Sequence, residues 1–492
     1  MNNPIANEGF MSKIKNKLNK KKENSNTMKS NGGIYIETVA MNNYIDICAA
    51  ACACCWDRPI PETFEDRANY IGKRVRMGHS SVIEHSNYVI YIEVPKNYCM
   101  ELMNIMSKCR YLETWTASHN DNCMAIIGGS LRGYSELLKS ISDFNDPIIK
   151  GIIGNLYEHI HSAMFEDLID IGILERDKFL NYTPDTEDFE NYNKIIDNVG
   201  IIEVDTDAAS ISTIFNTKNI SSHCIEEKFY KYLKDVSLYA YVTLSPKDAS
   251  RFITLTVLFK DMSRTCTHQL VRHRNAITQE SQRYVNASNA KFSSPAKFKP
   301  DKYDEEHKYS VRFPNCGITK LTLQEIGDAE CDLYRQLSDK AITGANNALI
   351  KEDARAFLPG NVQCGKIFMT FTYKNLYKFL KLRTDKAAQD EIREFATSLE
   401  GFLLANELIF KPYDYFIKSE YEYINMEDSE KEKYSDITGL KFGGIENLAN
   451  FEFDKEYEMM FDDATEVVDI TEEDYIRAAG LDKEGNEERN EK

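Results

Sequence analysis

The segment Arg272-His273-Arg274-Asn275-Ala276-Ile277-Thr278-Gln279-Glu280-Ser281-Gln282-Arg283-Tyr284 gathers arginines, a histidine, a carboxylate and a hydroxyl in one short stretch. Fixed cations at this density repel one another unless an anion lies between them. Arginine donates in forked pairs that match phosphate oxygens. A histidine can stack on or hydrogen-bond to a ring, and Glu280 and Ser281 can fix a polar partner. A dianionic nucleotide beside a cofactor meets all of these needs. A surface ion-pair cluster would be the simpler reading of a lone Arg-His-Arg. The Glu-Ser-x-Arg-Tyr run directly downstream argues for a site instead.

The elements that must hold this segment are legible on both sides of it. Ile253 to Phe259 is rich in β-formers and predicts a strand. Asp261 or Ser263 can cap the helix that follows, Arg264 to Val271, which delivers the cations at its end. Upstream, Tyr44 to Trp56 reads as a helix rich in small residues and Phe64 to Met77 as a second, stopping near Gly78. The run Gly78-His79-Ser80-Ser81-Val82-Ile83-Glu84-His85 then leads into Tyr88 to Val94, whose alternation predicts a strand. At this turn His79 and Ser81 are site candidates, and His85 reads as a scaffold residue. Downstream, Leu321 to Leu349 predicts a long amphipathic helix with a break near Gly344. Glu352 to Pro359 predicts a short helix stopped by its proline, with Arg355 near the terminus. Ala388, Ile392, Phe395, Ala396, Leu399 and Leu403 recur at helical spacing and predict one buried face.

The chain of 492 residues carries a net charge of -18, which disfavours a general nucleic-acid binder because phosphates need a basic stripe. A local basic pocket for a small anion remains compatible with that total. No apolar run is long enough to span a membrane, and the start lacks a secretory pattern. The expectation is a cytoplasmic protein with reduced thiols, no membrane partner and no metal: the 12 cysteines are scattered, without paired zinc spacing. Residues 1–33 read as a polar, basic leader, and 411–492 as an acidic extension with one short helix capped by Thr471 and Asp474. The run Ile126 to Leu138 (strand, glycine turn, helix) faintly echoes Thr370 to Leu380, a likeness short enough to read as chance.

Four motifs together resemble the flavin-dependent thymidylate synthases: Arg-His-Arg with Ser-x-Arg-Tyr at Arg272 to Tyr284, Gly-His-x-Ser-x-x-Glu-His at Gly78 to His85, Glu-x-Ala-Arg-x-x-Leu-Pro at Glu352 to Pro359, and Phe-Leu-x-Leu-Arg followed by Ala-Gln-x-Glu-Ile-Arg at Phe379 to Arg393. They occur in family order. Three departures stand out: the spacer from Arg274 to Ser281 is one residue shorter than the common pattern, Thr372 stands where the family usually has Asn, and Lys378 stands where a flavin contact often lies. The resemblance implies an α+β core with a mixed, largely antiparallel sheet packed by helices, formed by residues 34–94 and 250–410, with 95–249 as an insertion. It implies that Tyr88–Val94 and Ile253–Phe259 share one sheet. It implies reductive methylation of dUMP to dTMP, with methylenetetrahydrofolate as one-carbon donor and FAD as hydride carrier reduced by NADPH. It implies a homotetramer whose sites form between subunits. On this reading Arg383, Ser281 and Glu280 are catalytic; Gln279, Ser281, Arg283, Arg355 and Arg383 bind dUMP; and Cys55, His79, Ser81, Arg272, His273, Arg274, Glu280 and Lys378 bind FAD. No motif sets a cysteine beside Ser281, Arg283 or Arg383, so a cysteine nucleophile is not expected. The alternative is a catalytically degenerate flavin- or nucleotide-binding protein that keeps the fold.

Overall fold

The computed structural model describes residues 33–119, 121–141, 146–161, 201–205, 211–213, 225–273, 275–313, 317–344, 346–406 and 408–409. The basic leader up to residue 32, the acidic extension and its capped helix, and Arg274 lie outside the described residues.

The architecture is α+β and rests on two sheets. In the first, β1 (Tyr35–Met41), β2 (Tyr88–Pro95), β3 (Glu113–His119) and β4 (Asn122–Gly129) lie in the order β1-β2-β4-β3, antiparallel throughout. In the second, β5 (Ile201–Val204), β6 (Ile211–Thr213), β7 (Thr254–Ser263), β8 (Ala276–Gln279) and a long strand, β9 (Val362–Thr372), lie in the order β6-β5-β7-β9-β8. Here β5 runs parallel to β7 and the other pairings are antiparallel.

The expectation that Tyr88–Val94 and Ile253–Phe259 share a sheet is therefore not met. A strand has two hydrogen-bonding edges. Both edges of β2 are taken by β1 and β4, and both edges of β7 by β5 and β9. Nor is residue range 95–249 wholly peripheral, because it supplies β3 and β4, and Met124 to Ile127 are buried.

Helices cover the sheets. After β1 come α1 (Tyr44–Trp56), α2 (Phe64–Arg76) and a 3-10 helix, Ser80–His85. Small residues let α1 pack closely: Ala49, Ala51, Cys48 and Cys52 are fully buried. After β2 comes α3 (Cys99–Met106), and after β4 come α4 (Leu131–Ser140) and α5 (Pro147–His159). The second sheet is served by α6 (Ile225–Val236), α7 (Leu238–Thr243), α8 (Pro246–Ala249) and α9 (Arg264–Leu270). Beyond them lie α10 (Leu323–Ser338), α11 (Tyr373–Arg383) and α12 (Asp390–Ala405). The long helix expected up to Leu349 stops at Ser338; a short turn follows and ends at Gly344, whose φ of +84° favours glycine.

The expectation of uniformly reduced thiols fails at one pair. Cys99 and Cys123 form a disulfide between α3 and β4, whose backbones set their Cα atoms 5.7 Å apart, within bonding range. Among the described residues no helix is long and apolar enough to cross a membrane.

Candidate functional site

Ser263, not Asp261, caps α9: its side chain accepts from the Cys266 N–H at 3.1 Å. Ser263 is itself held by Glu391 of α12, which accepts from its backbone N–H at 2.7 Å and its hydroxyl at 2.5 Å. Burial raises the Glu391 carboxyl, and the two Ser263 bonds oppose that rise. The far end of α9 is tied to β8 by Gln279, whose amide donates to Thr267 Oγ1 at 3.2 Å. The helix that carries the cations is thus fixed at both ends.

Along α9 and just past it, Arg264, His268 and Arg272 recur every four residues and so share one face. They line a cavity of about 510 Å³ with Thr265, Gln269, Leu358, Gly360 and Arg383. Arg383 arrives from the last turn of α11, and its Nε–H donates to His273 Nε2 at 2.9 Å. Burial, and then the adjacent Arg383, lower His273 to about 4. At neutral pH the ring is uncharged and able to accept that bond. Burial likewise lowers the Arg383 guanidinium, and Arg272 adds to the effect. A pocket lined by three arginines is chemically suited to a phosphate or pyrophosphate.

A second group of side chains forms where α1 and the Gly78 turn meet β8. The Ser281 N–H donates to the Cys55 carbonyl at 3.1 Å. Trp56 stacks on Tyr284 with centroids 6.4 Å apart, takes the His79 ring edge-on at 5.0 Å, and lies under the Arg74 guanidinium at 4.3 Å. Lys366 bridges Asp57 at 2.5 Å and approaches Glu280 at 4.0 Å. Burial raises Glu280 to about 7 despite Lys366, helped by Asp57 and Asp261. A carboxyl poised there can hold or release a proton at neutral pH.

Arg283 and Arg355 form a third group around Glu352. Arg283 Nε pairs with its carboxylate at 3.0 Å, and Arg355 Nε donates to its backbone carbonyl at 3.1 Å. The three arginines expected on one ligand are therefore divided: Arg283 and Arg355 lie together, and Arg383 lines the cavity with Arg272. Ser81 is exposed on the 3-10 helix and Lys378 is exposed on α11. His85 is fully buried, its two ring nitrogens bonded to Thr370 Oγ1 at 3.0 Å and Thr278 Oγ1 at 2.9 Å.

Arg264, His268 and Glu391 were missed as site residues. For the first two, the four-residue spacing with Arg272 was a usable signal. For Glu391, the contact is made across 128 residues of chain and no local pattern announces it.

Glu280 gives a pH-dependent expectation. Its folded pKa lies above the ordinary carboxylate value, so its contribution to stability is complete below pH about 4.5 and is lost as pH rises through about 7. Glu280→Gln should therefore match the parent protein in urea at pH 4.5 and exceed it at pH 8. Equal parent-to-variant differences at the two pH values would contradict the environment described.

Residues 216–402 match the family described as thymidylate synthase complementing protein. The chain is 34% identical over 148 residues to a flavin-dependent thymidylate synthase of Pyrococcus furiosus, covering 29% of this chain and 51% of that protein. It is 32% identical over 160 residues to the enzyme of that name from Thermococcus onnurineus, covering 31% and 55%. It is 28% identical over 212 residues to that of Saccharolobus solfataricus, covering 41% and 71%. The chain spans about half the length of the first two relatives. A crystal structure of thymidylate synthase X from Helicobacter pylori with FAD and dUMP aligns at a TM-score of 0.25 and 15% identity, over 39% of this chain and 84% of that one. The matched span contains α9, the Arg272 segment, Arg355 and Arg383, and over that span this chain is similar to the flavin-dependent thymidylate synthases.

Proposed function

We propose that the protein is a cytoplasmic enzyme that methylates dUMP reductively to dTMP. The one-carbon unit comes from methylenetetrahydrofolate, and NADPH reduces the FAD. The single observation that carries this reading is the cavity where Arg264, Arg272 and Arg383 converge with a neutral His273 at its edge. Its donors fit the phosphates of a flavin dinucleotide and of a nucleotide. FAD, when bound, supplies hydride transfer, the step no protein side chain can perform.

The chain's own residues bind and orient. Arg272, His273, Arg274, His79, Ser81, Cys55, Glu280 and Lys378 are assigned to FAD. Gln279, Ser281, Arg283, Arg355 and Arg383 are assigned to dUMP, with Arg383, Ser281 and Glu280 closest to the chemistry. Glu280 is suited to hold a proton on the uracil side, because its carboxyl titrates near neutrality. Ser281 serves as a hydrogen-bonding group, since no base adjoins it to make it a nucleophile. A homotetramer is the assembly proposed from the family resemblance.

Methylation proceeds on this reading without a cysteine nucleophile. Burial pushes Cys266 well above the ordinary thiol range, and burial raises Cys55 as well. A thiolate at either position is disfavoured. Cys266→Ala, and Cys55→Ala once it is loaded with flavin, should still form dTMP. A covalent dUMP–cysteine adduct in the mass spectrum would overturn this mechanism.

The cofactor assignment is tested by absorbance. The purified protein, or protein titrated with FAD, should show a bound-flavin spectrum that Arg272→Ala weakens. A preparation that stays colourless and takes up no added FAD would remove the proposal. The runner-up, a degenerate flavin-binding protein, would give the spectrum without dTMP.

A further inference from the structure

We propose that the chain is an internal duplication of one α+β unit, in which, among the described residues, only the second unit carries an anion site. The element orders match. The first unit runs β2-α3-β3-β4-α4-α5, and the second runs β7-α9-β8-β9-α11-α12 with α10 and shorter elements inserted between β8 and β9. The sheets match as well, since β4 lies between β2 and β3, and β9 lies between β7 and β8, antiparallel in every case.

Agreement extends to the register. One displacement along the chain carries Gly128 to Thr370, Ser130 to Thr372 and Leu131 to Tyr373. Ser130 and Thr372 each cap the next helix and accept from the backbone N–H three residues on, Gly133 at 3.2 Å and Asn375 at 3.3 Å. Gly128 pairs with Glu113, and Thr370 pairs with Ala276. Glu113 therefore corresponds to Ala276, and counting along the strands brings Ser118 onto Ser281. Similar folds arise by chance from simple packing rules, but chance does not require matched caps and matched pairing partners. The short echo between Ile126–Leu138 and Thr370–Leu380, read from sequence as chance, lies inside these units.

The two units also pack reciprocally at corresponding residues. Elements preceding β2 lie on β8: His85 bonds Thr278, and the Cys55 carbonyl accepts from Ser281 N–H. Elements preceding β7 lie on β3: Arg251 pairs with Glu113 at 3.5 Å, the Tyr239 hydroxyl donates to the Ser118 carbonyl at 3.5 Å, and Tyr239 stacks on His119 at 4.5 Å. Ser118 and Ser281 are thus each covered by the opposite unit. The first strands break the symmetry, since β1 is antiparallel to β2 and β5 is parallel to β7.

The cations break it functionally. Helix α3, which stands where α9 stands, reads CMELMNIM and has neither arginine nor histidine. Counting back from β3, Arg272 and His273 fall on Cys109 and Arg110, and Arg383 falls on Ile141. Residues 283–363, which bring Arg283 and Arg355 to the second unit, are replaced in the first by the two residues between His119 and Asn122. At the positions that match Arg264, His268, Arg272, His273 and Arg383, the first unit holds a cation only at Arg110, which is exposed. Among the described residues the chain thus holds two copies of the fold and one armed site.

The inference deepens the proposed function but is testable without it, using inorganic pyrophosphate as a probe of the cations alone. Calorimetric titration of the full chain should give one pyrophosphate per chain. Arg272→Ala with Arg383→Ala should weaken that site more than tenfold, and Arg110→Ala should leave it unchanged. Two equivalents per chain, a site lost with Arg110, a site indifferent to the double variant, or no binding at all would overturn the inference. One-to-one pyrophosphate binding in a protein that takes neither FAD nor dUMP would uphold the single armed site and remove the enzymatic reading instead.

Discussion

Arg383→Ala is expected to weaken dUMP binding by roughly 1.5–3 kcal/mol, the range for hydrogen bonds to a charged group. That corresponds to an increase in Kd of roughly 10- to 150-fold. Two losses combine. The cavity loses one of its forked donors, and His273 loses the Nε–H that orients its ring. Removing the neighbouring guanidinium also removes one cause of the lowered His273 pKa, so the ring should titrate at higher pH in the variant. Nucleotide titration and histidine NMR of the same sample report the two effects separately. Unchanged dUMP affinity would detach Arg383 from the nucleotide, and an unmoved His273 titration would contradict the contact itself.

A large effect on stability is expected at His85. The ring is fully buried, and burial lowers its pKa to about 3. The unfolded chain binds a proton near pH 6.5 that the folded protein refuses until about pH 3. The unfolded state therefore holds more protons in that window, and stability rises with pH across it. The contribution is complete above pH 6.5; by pH 5 about 2 kcal/mol of it is gone. His85→Ala should cost roughly 2–4 kcal/mol at pH 7, because it opens a cavity and strips one partner from Thr278 and Thr370. It should also flatten the acid limb between pH 7 and 5. Urea melts at both pH values check this. A variant that is destabilised yet keeps the full pH slope would show that His85 is not the titrating group.

The local chemistry of the chain was legible in its sequence. Helix α9 follows from a β-rich run, a capping serine and the apolar spacing after it, all decided within a few residues. The Arg272 to Tyr284 segment stands out by charge density alone, and His85, read as scaffold, is fully buried and hydrogen-bonded. What was not legible depends on partners far along the chain. Both Tyr88–Val94 and Ile253–Phe259 look like buried strands, and nothing in their alternation says which neighbours occupy their edges. The division of Arg283 and Arg355 from Arg383 is set by where the Glu352 turn packs. The Cys99–Cys123 bond arises because α3 and β4 meet, and cysteine spacing does not encode that meeting. The lesson for the site is similar. Arginines at motif positions were found by type, but the helix face shared by Arg264, His268 and Arg272 became evident only with the cavity they line.

The central claim is tested most directly by incubating the purified full chain with dUMP, methylenetetrahydrofolate, NADPH and FAD and measuring dTMP. The expected result is dTMP that depends on added or bound FAD, falls with Arg383→Ala and survives Cys266→Ala. A folded, flavin-loaded protein that forms no dTMP, or that forms it equally well with flavin removed, would contradict it.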